Sequence, residues 1–102
     1  MLEWTEKEYN EQAASGVTVI DFWAPWCAPC RMMAAPFAAV AQQLSDKARF
    51  VKVNIDENEN LAVRFGIAAI PTVAVVKNGE VKEISVGLLT EDALTNLVMR
   101  NL

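Results

Sequence analysis

The 102-residue chain contains no histidine. Catalysis by Ser-His-Asp or Cys-His constellations, and metal sites ligated by imidazole, are excluded by inventory. Only two cysteines are present, too few to close a four-ligand zinc site within one chain. Positive charge is also scarce: nine basic residues face thirteen acidic ones, for a net charge of −4. A nucleic-acid module carries the opposite sign and a basic stripe, so no nucleic-acid partner is expected. No apolar run approaches the ~20 residues that span a bilayer, so no membrane partner is expected either. The first residues, Met1 to Glu8, are acidic and lack the cationic start and apolar core of a secretory signal. A cytoplasmic location is the resulting expectation. In a reducing compartment two cysteines are redox-active or metal-binding more often than they are a structural staple.

What is abundant is apolar character. Hydrophobic residues make up 53% of the chain, above the roughly 45–50% usual for globular chains even with glycine counted, and this excludes disorder. The length suits one domain over residues 1–102, with about two-thirds of its unfolded surface buried in a core.

Thr5-Glu6-Lys7-Glu8 has capping-box spacing and opens a polar helix expected to stop at Gly16. Val17 to Trp23 is β-branched and aromatic, a strand buried on both faces that holds one carboxylate, Asp21. Ala24 to Cys30 reads as a turn leading into a helix. Its apolar stripe is Cys30, Met33, Ala34, Phe37, Val40, Ala41 and Leu44. Phe50 to Ile55 reads as a second buried strand, again with one charge, Lys52. A short helix through Leu61 to Phe65 ends at Gly66, and Ile70-Pro71 leads into a strand from Thr72 to Lys77. Asn78-Gly79 is a strong hairpin signal joining that strand to Glu80–Val86. A last helix starts at Thr90, with Glu91 and Asp92 where the helix dipole favours anions. Alternating strands and helices predict an α/β fold with parallel strands, and the terminal hairpin makes the sheet mixed.

Cys27 and Cys30 fall where the first strand gives way to the second helix, the edge of an open α/β sheet at which chemistry gathers. The free amides and dipole of a helix N-terminus stabilise an anion, and a thiolate is one. Cys30 heads the apolar stripe and is the shielded sulfur; Cys27, beside Pro25 and Trp26, is the accessible one. A structural bond across so short a ring is worth only about 2 kcal/mol, against nearly 5 for a 100-residue loop, which disfavours a staple. Other readings of the pair are an iron–sulfur or zinc site shared between two chains, or inert burial. Asp21 interrupts an apolar strand six residues before Cys27; burial raises its pKa and makes it a candidate proton acceptor near neutral pH.

The segment Asp21-Phe22-Trp23-Ala24-Pro25-Trp26-Cys27-Ala28-Pro29-Cys30 resembles the active-site segment of thioredoxins. Val53–Asp56, Phe65–Ile67, Ile70–Thr72, Lys77–Gly79 and Val86–Gly87 fall where that family has similar segments. The resemblance runs through nearly the whole chain from Val17 onward. It implies a thioredoxin fold: a mixed central sheet, parallel strands plus a C-terminal antiparallel hairpin, flanked by helices on both faces. It also implies thiol–disulfide exchange, with Cys27 as nucleophile and Cys30 as resolving thiol.

By the same resemblance, Asp21 deprotonates Cys30 through water. Lys52 sits near Asp21 and moderates its charge, although a lysine can equally carry its ammonium out to water. Trp26, Ala28, Pro29, Ala69, Ile70, Pro71 and Gly87 are the implied substrate-binding positions, with Ile70 offering backbone hydrogen bonds to an extended substrate. A cis Ile70–Pro71 bond is implied too, against the base rate for such bonds. Trp23 is assigned a packing role. No bound metal or organic cofactor is implied, because the Cys27–Cys30 pair carries the redox equivalent. The implied partners are disulfide-containing proteins and a flavin-containing thioredoxin reductase that draws on NADPH, and the expected state is a monomer. An oxidant or isomerase, or a binding module without turnover, are the competing functions.

The chain also departs from the family pattern. Ala28 replaces the commoner glycine between the cysteines, and the helix proline is Pro36, one residue later than usual. Ala69 replaces a small or polar residue. The short N-terminus reduces the first edge strand to Leu2–Trp4 or removes it.

Overall fold

Strand β1 (Val17–Trp23) is buried along nearly its whole length because it runs through the middle of a four-stranded sheet of order β2-β1-β3-β4. The other strands are β2 (Arg49–Asn54), β3 (Thr72–Lys77) and β4 (Glu80–Val86). Helices α1 (Glu6–Gln12), α2 (Ala28–Gln43), α3 (Glu59–Arg64) and α4 (Glu91–Met99) complete the expected order. The computed structural model describes residues 2–102.

The sheet is mixed, as expected, but its parallel part among these strands is confined to β1 and β2. Strand β3 runs antiparallel to β1, with Thr72 opposite Phe22. The chain enters β3 at the edge where β1 and β2 finish. This places Ile70–Thr72 beside the segment that follows β1.

Side-chain alternation divides the interior in two. Ile20, Phe22, Val51, Val53, Ala74 and Val76 face α1 and α3, where they pack on Tyr9, Leu61 and Phe65. Val19, Phe50, Val73 and Val75 face α2 and α4, packing on Met33, Phe37, Val40, Leu94 and Leu97. On α2 the buried stripe is Cys30, Met33, Phe37 and Val40, continued by Leu44. Ala34, expected in that stripe, is exposed, and Ala41 is half-buried. The larger side chains fill the seam and leave the alanines at its rim. Helix α2 continues through Pro36, where the missing N–H leaves the Met32 carbonyl without its helical donor.

The N-terminal edge strand is reduced to a single parallel bridge between Glu3 and Lys52. Trp4 N–H donates to the Lys52 carbonyl at 2.8 Å, and Lys52 N–H donates to that of Leu2 at 2.9 Å. The expected capping box does not form. The Thr5 hydroxyl donates to the Glu8 carboxylate instead of accepting from the helix, and the Glu6 N–H is satisfied by Asn58 Oδ1 at 3.0 Å. Helix α1 also stops at Gln12, short of Gly16. Arg49 donates to the Gln12 carbonyl at 2.9 Å and to that of Ser15, while the Gly16 N–H turns to Asn78 Oδ1 at 2.9 Å. Those bonds divert the groups that would have continued the helix.

The hairpin follows its sequence signal. Asn78 and Gly79 have φ of 51° and 81°, the pair of positive values that a type I′ turn requires. Thr90 caps α4 by accepting from Ala93 N–H at 3.1 Å. Among the described residues no helix is long and apolar enough to cross a membrane.

Candidate active site

Because β1 and β2 are parallel, their carboxyl ends share one edge of the sheet, and the start of β3 lies at the same edge. The turn after β1 closes when Cys27 N–H donates to the Ala24 carbonyl at 3.2 Å. Cys27 is then the extended N-cap of α2. Ala28 and Pro29 occupy the first two helical positions, and proline there costs nothing because those amides have no helical acceptor. Pro29 has no N–H to offer, and the amide of Cys30 donates to Cys27 Sγ at 3.2 Å. A sulfur thus sits in the place where a capping oxygen ordinarily accepts.

Cys27 and Cys30 are joined as a disulfide with Cα atoms 5.2 Å apart. Cys27 is 5% exposed and Cys30 1%, the order expected from Cys30 heading the buried stripe. Cys27 Sγ lies 3.8 Å from the Ile70 carbonyl oxygen. Among the described residues no cluster of three or more His, Cys, Asp or Glu side chains is arranged to hold a metal ion.

An apolar groove of about 430 Å³ opens beside the disulfide. Trp26, Cys27, Ala28 and Pro29 form one wall. The other is built from Ile55, Ile67 and the stretch Ala68 to Ile70. Trp26 is 66% exposed, yet its indole N–H donates to Asp56 Oδ2 at 2.9 Å. Asp56 is in turn held by its own N–H on Asn54 Oδ1 at 2.9 Å. Arg31 pins the preceding loop by donating to the Pro25 carbonyl at 3.0 Å.

The Ile70–Pro71 bond is cis, and the Ala69 carbonyl accepts from the Thr72 hydroxyl at 2.6 Å. Pro71 is buried, and its carbonyl accepts from Gly87 N–H at 2.8 Å. Pro71 and Gly87 therefore stand behind the rim, whereas Trp26, Ala28, Pro29, Ala69 and Ile70 line the groove itself.

Asp21 shares the parity of Val19 along β1, which puts its side chain on the face covered by α2. It is 0% exposed, and both carboxyl oxygens lack a hydrogen-bond partner. Desolvation disfavours the charged form and pushes its pKa up to about 7, against an opposing pull from Lys52 and a smaller push from Glu3. Lys52 is the register partner of Asp21 on β2. Its ammonium rests 4.2 Å from the centre of the Trp23 ring, and no ion pair among the described residues joins it to Asp21.

Sequence reasoning passed over Ile55, Ile67 and Ala68 in the groove, Asp56 under Trp26, Arg31 on the loop, and Glu3, whose Oε1 accepts from Trp23 Nε1 at 3.4 Å. A signal existed for Asp56. It stands two residues beyond a strand parallel to β1, at the same edge as the cysteines.

Comparison with known proteins agrees with this geometry. The thioredoxin family model matches residues 1–100. Thioredoxin of Bacillus subtilis is 42% identical over 98 residues, covering 96% of this chain and 94% of that protein. Thioredoxin 1 of Synechococcus elongatus is 44% identical over 84 residues, 82% of this chain and 78% of its own. Thioredoxin of Rickettsia bellii is 37% identical over 100 residues, 96% of this chain and 95% of its own. With a Cys-x-x-Cys disulfide at the mouth of a helix and matches of this extent, the chain belongs to the thioredoxin family of thiol–disulfide oxidoreductases.

Proposed function

We propose that the protein works in the reducing direction, transferring two electrons from its dithiol to disulfides in protein substrates. The Cys27 thiolate attacks one sulfur of the substrate disulfide and forms a mixed disulfide, and the other substrate sulfur leaves as a thiolate. Cys30 then loses its proton and attacks Cys27 Sγ. The mixed bond breaks, the second substrate sulfur leaves and is protonated, and Cys27–Cys30 is restored as a disulfide. Asp21 takes the proton from Cys30 through water, and Lys52 moderates the charge left on Asp21. The observation that carries the exchange scheme, with Cys27 as the attacking sulfur, is the Cys30 N–H directed at Cys27 Sγ. In the reduced protein the same donor stabilises a Cys27 thiolate at the lip of an apolar groove.

The groove supports an extended, apolar segment of substrate as the ligand. Trp26, Ala28, Pro29, Ala69 and Ile70 make the contact surface, with Pro71 and Gly87 fixing the backbone behind it. Because the Cys27/Cys30 dithiol itself carries the two electrons, no bound cofactor takes part. Thioredoxin reductase regenerates the dithiol at the expense of NADPH, and the protein acts as a monomer in the cytoplasm.

Cys30→Ser tests the scheme. The variant attacks substrate but cannot resolve the product, so covalent adducts through Cys27 accumulate on non-reducing gels. A Cys30→Ser protein that turns over, or that yields no adduct, refutes resolution by Cys30.

A further inference from the structure

Glu3 is drawn to the edge of the sheet by its backbone bridge to Lys52. From there its side chain meets the same ring that Lys52 uses. Glu3 Oε1 accepts from Trp23 Nε1 at 3.4 Å, and the Lys52 ammonium lies 4.2 Å from the ring centre. A carboxylate on the indole N–H and an ammonium on the ring face reinforce one another, since the anion enriches the ring that the cation approaches. Lys52 is in turn the register partner of the buried Asp21. We propose that Glu3 is a positioning residue for Asp21, seating the Lys52 ammonium on Trp23 and setting the charge balance around the buried carboxyl. The inference rests on reading Asp21 as the proton acceptor in the exchange reaction.

Few other charges surround Asp21. On β3 its partner is Val73, which is uncharged. Helices α2 and α4 cover this face with Cys30, Met33, Phe37, Leu94 and Leu97. Glu57 shares with Glu3 and Trp23 a shallow cavity of about 390 Å³, and its carboxylate is engaged by Asn54 Nδ2 at 3.0 Å. Lys52 and Glu3 are thus the two charges that act on Asp21, the first drawing its pKa down and the second pushing it up. Holding the ammonium on the ring leaves the carboxyl without a direct ionic partner, and the Glu3 charge adds to that effect. Both raise the pH at which Asp21 becomes a base.

Glu3→Gln separates charge from contact, because the amide oxygen still accepts from the indole. The Asp21 carboxyl is followed by NMR in the oxidised protein, and exchange with insulin disulfides is followed from pH 5 to 9. The Gln variant lowers the Asp21 titration midpoint and moves the pH–rate profile the same way, raising the rate at pH 6 about two- to threefold. Glu3→Asp, which keeps the charge, stays near wild type. Adding Glu3→Gln to Asp21→Asn changes nothing further. An unmoved Asp21 midpoint in Glu3→Gln overturns the proposal, as does a rate change that persists in the Asp21→Asn background. If Asp21→Asn alone leaves the rate profile untouched, the role of Asp21 fails instead, and the carboxyl titration still decides for or against its coupling to Glu3.

Discussion

Asp21 and Lys52 face each other on adjacent parallel strands, yet the ammonium settles on the Trp23 ring and not on the carboxylate. Burial, with no hydrogen-bond or ion-pair partner on either oxygen among the described residues, keeps this acid neutral well above the usual carboxylate range, with a pKa of about 7 against 3.8 for a free side chain. Across that interval the folded protein binds more protons than the unfolded chain, so folding stability falls as pH rises. The loss begins near pH 4 and is complete just above pH 7, at up to about 4 kcal/mol. Asn at position 21 does not titrate. Asp21→Asn is therefore expected to be more stable than wild type at pH 8 by a few kcal/mol (~2–4) and to show little advantage at pH 4. Urea unfolding of the oxidised proteins at the two pH values checks this, and an advantage that does not vary with pH counts against a buried ionisation.

The same substitution removes a proton acceptor. Exchange by Asp21→Asn is expected to slow about tenfold at neutral pH and to lose the inflection near pH 7. Single-turnover reduction of a protein disulfide across pH 5.5 to 8.5 would measure it. A wild-type profile in the variant removes Asp21 from the chemistry.

Trp26 stands in solvent but is tethered by Asp56. Asp56→Ala frees the indole to leave its wall of the groove. One hydrogen bond of ordinary net strength, about 1 kcal/mol, corresponds to a roughly fivefold rise in KM with kcat little changed. Steady-state kinetics with a protein substrate tests this; a loss confined to kcat contradicts a purely positional role for the tether.

Arg49 is a structural counterpart. It donates to the Gln12 and Ser15 carbonyls and to the Thr18 hydroxyl, and Thr18 is fully buried. Arg49→Met keeps much of the stem but takes the donor from the buried Thr18 hydroxyl, at an expected cost of about 2 kcal/mol in denaturant unfolding and none in thiol chemistry. An unchanged unfolding midpoint contradicts this.

The element order was legible because buried strands and amphipathic helices differ in period, and Val17–Trp23 and Asn78-Gly79 are unambiguous signals. Strand direction was not, since hydropathy is the same whichever way β3 is read. The chemistry-bearing residues stood out because they broke their surroundings: Asp21 and Lys52 in apolar strands, and Cys27 and Cys30 at a strand-to-helix turn. The far wall of the groove did not. Ile55, Ile67 and Ala68 are ordinary apolar residues made adjacent by tertiary folding. Thr5 and Glu8 had capping-box spacing, but the hydroxyl found a carboxylate nearer than a backbone amide. Glu3 was hidden because its effect depends on a ring twenty residues away.

The most direct measurement is thiol alkylation of the reduced protein as a function of pH, with the modified cysteine located by mass spectrometry. We expect Cys27 to react first, with a rate midpoint clearly below the roughly 8.5 of a free cysteine. A midpoint at the free-cysteine value, or modification of Cys30 ahead of Cys27, would contradict the assignment of Cys27 as the activated sulfur.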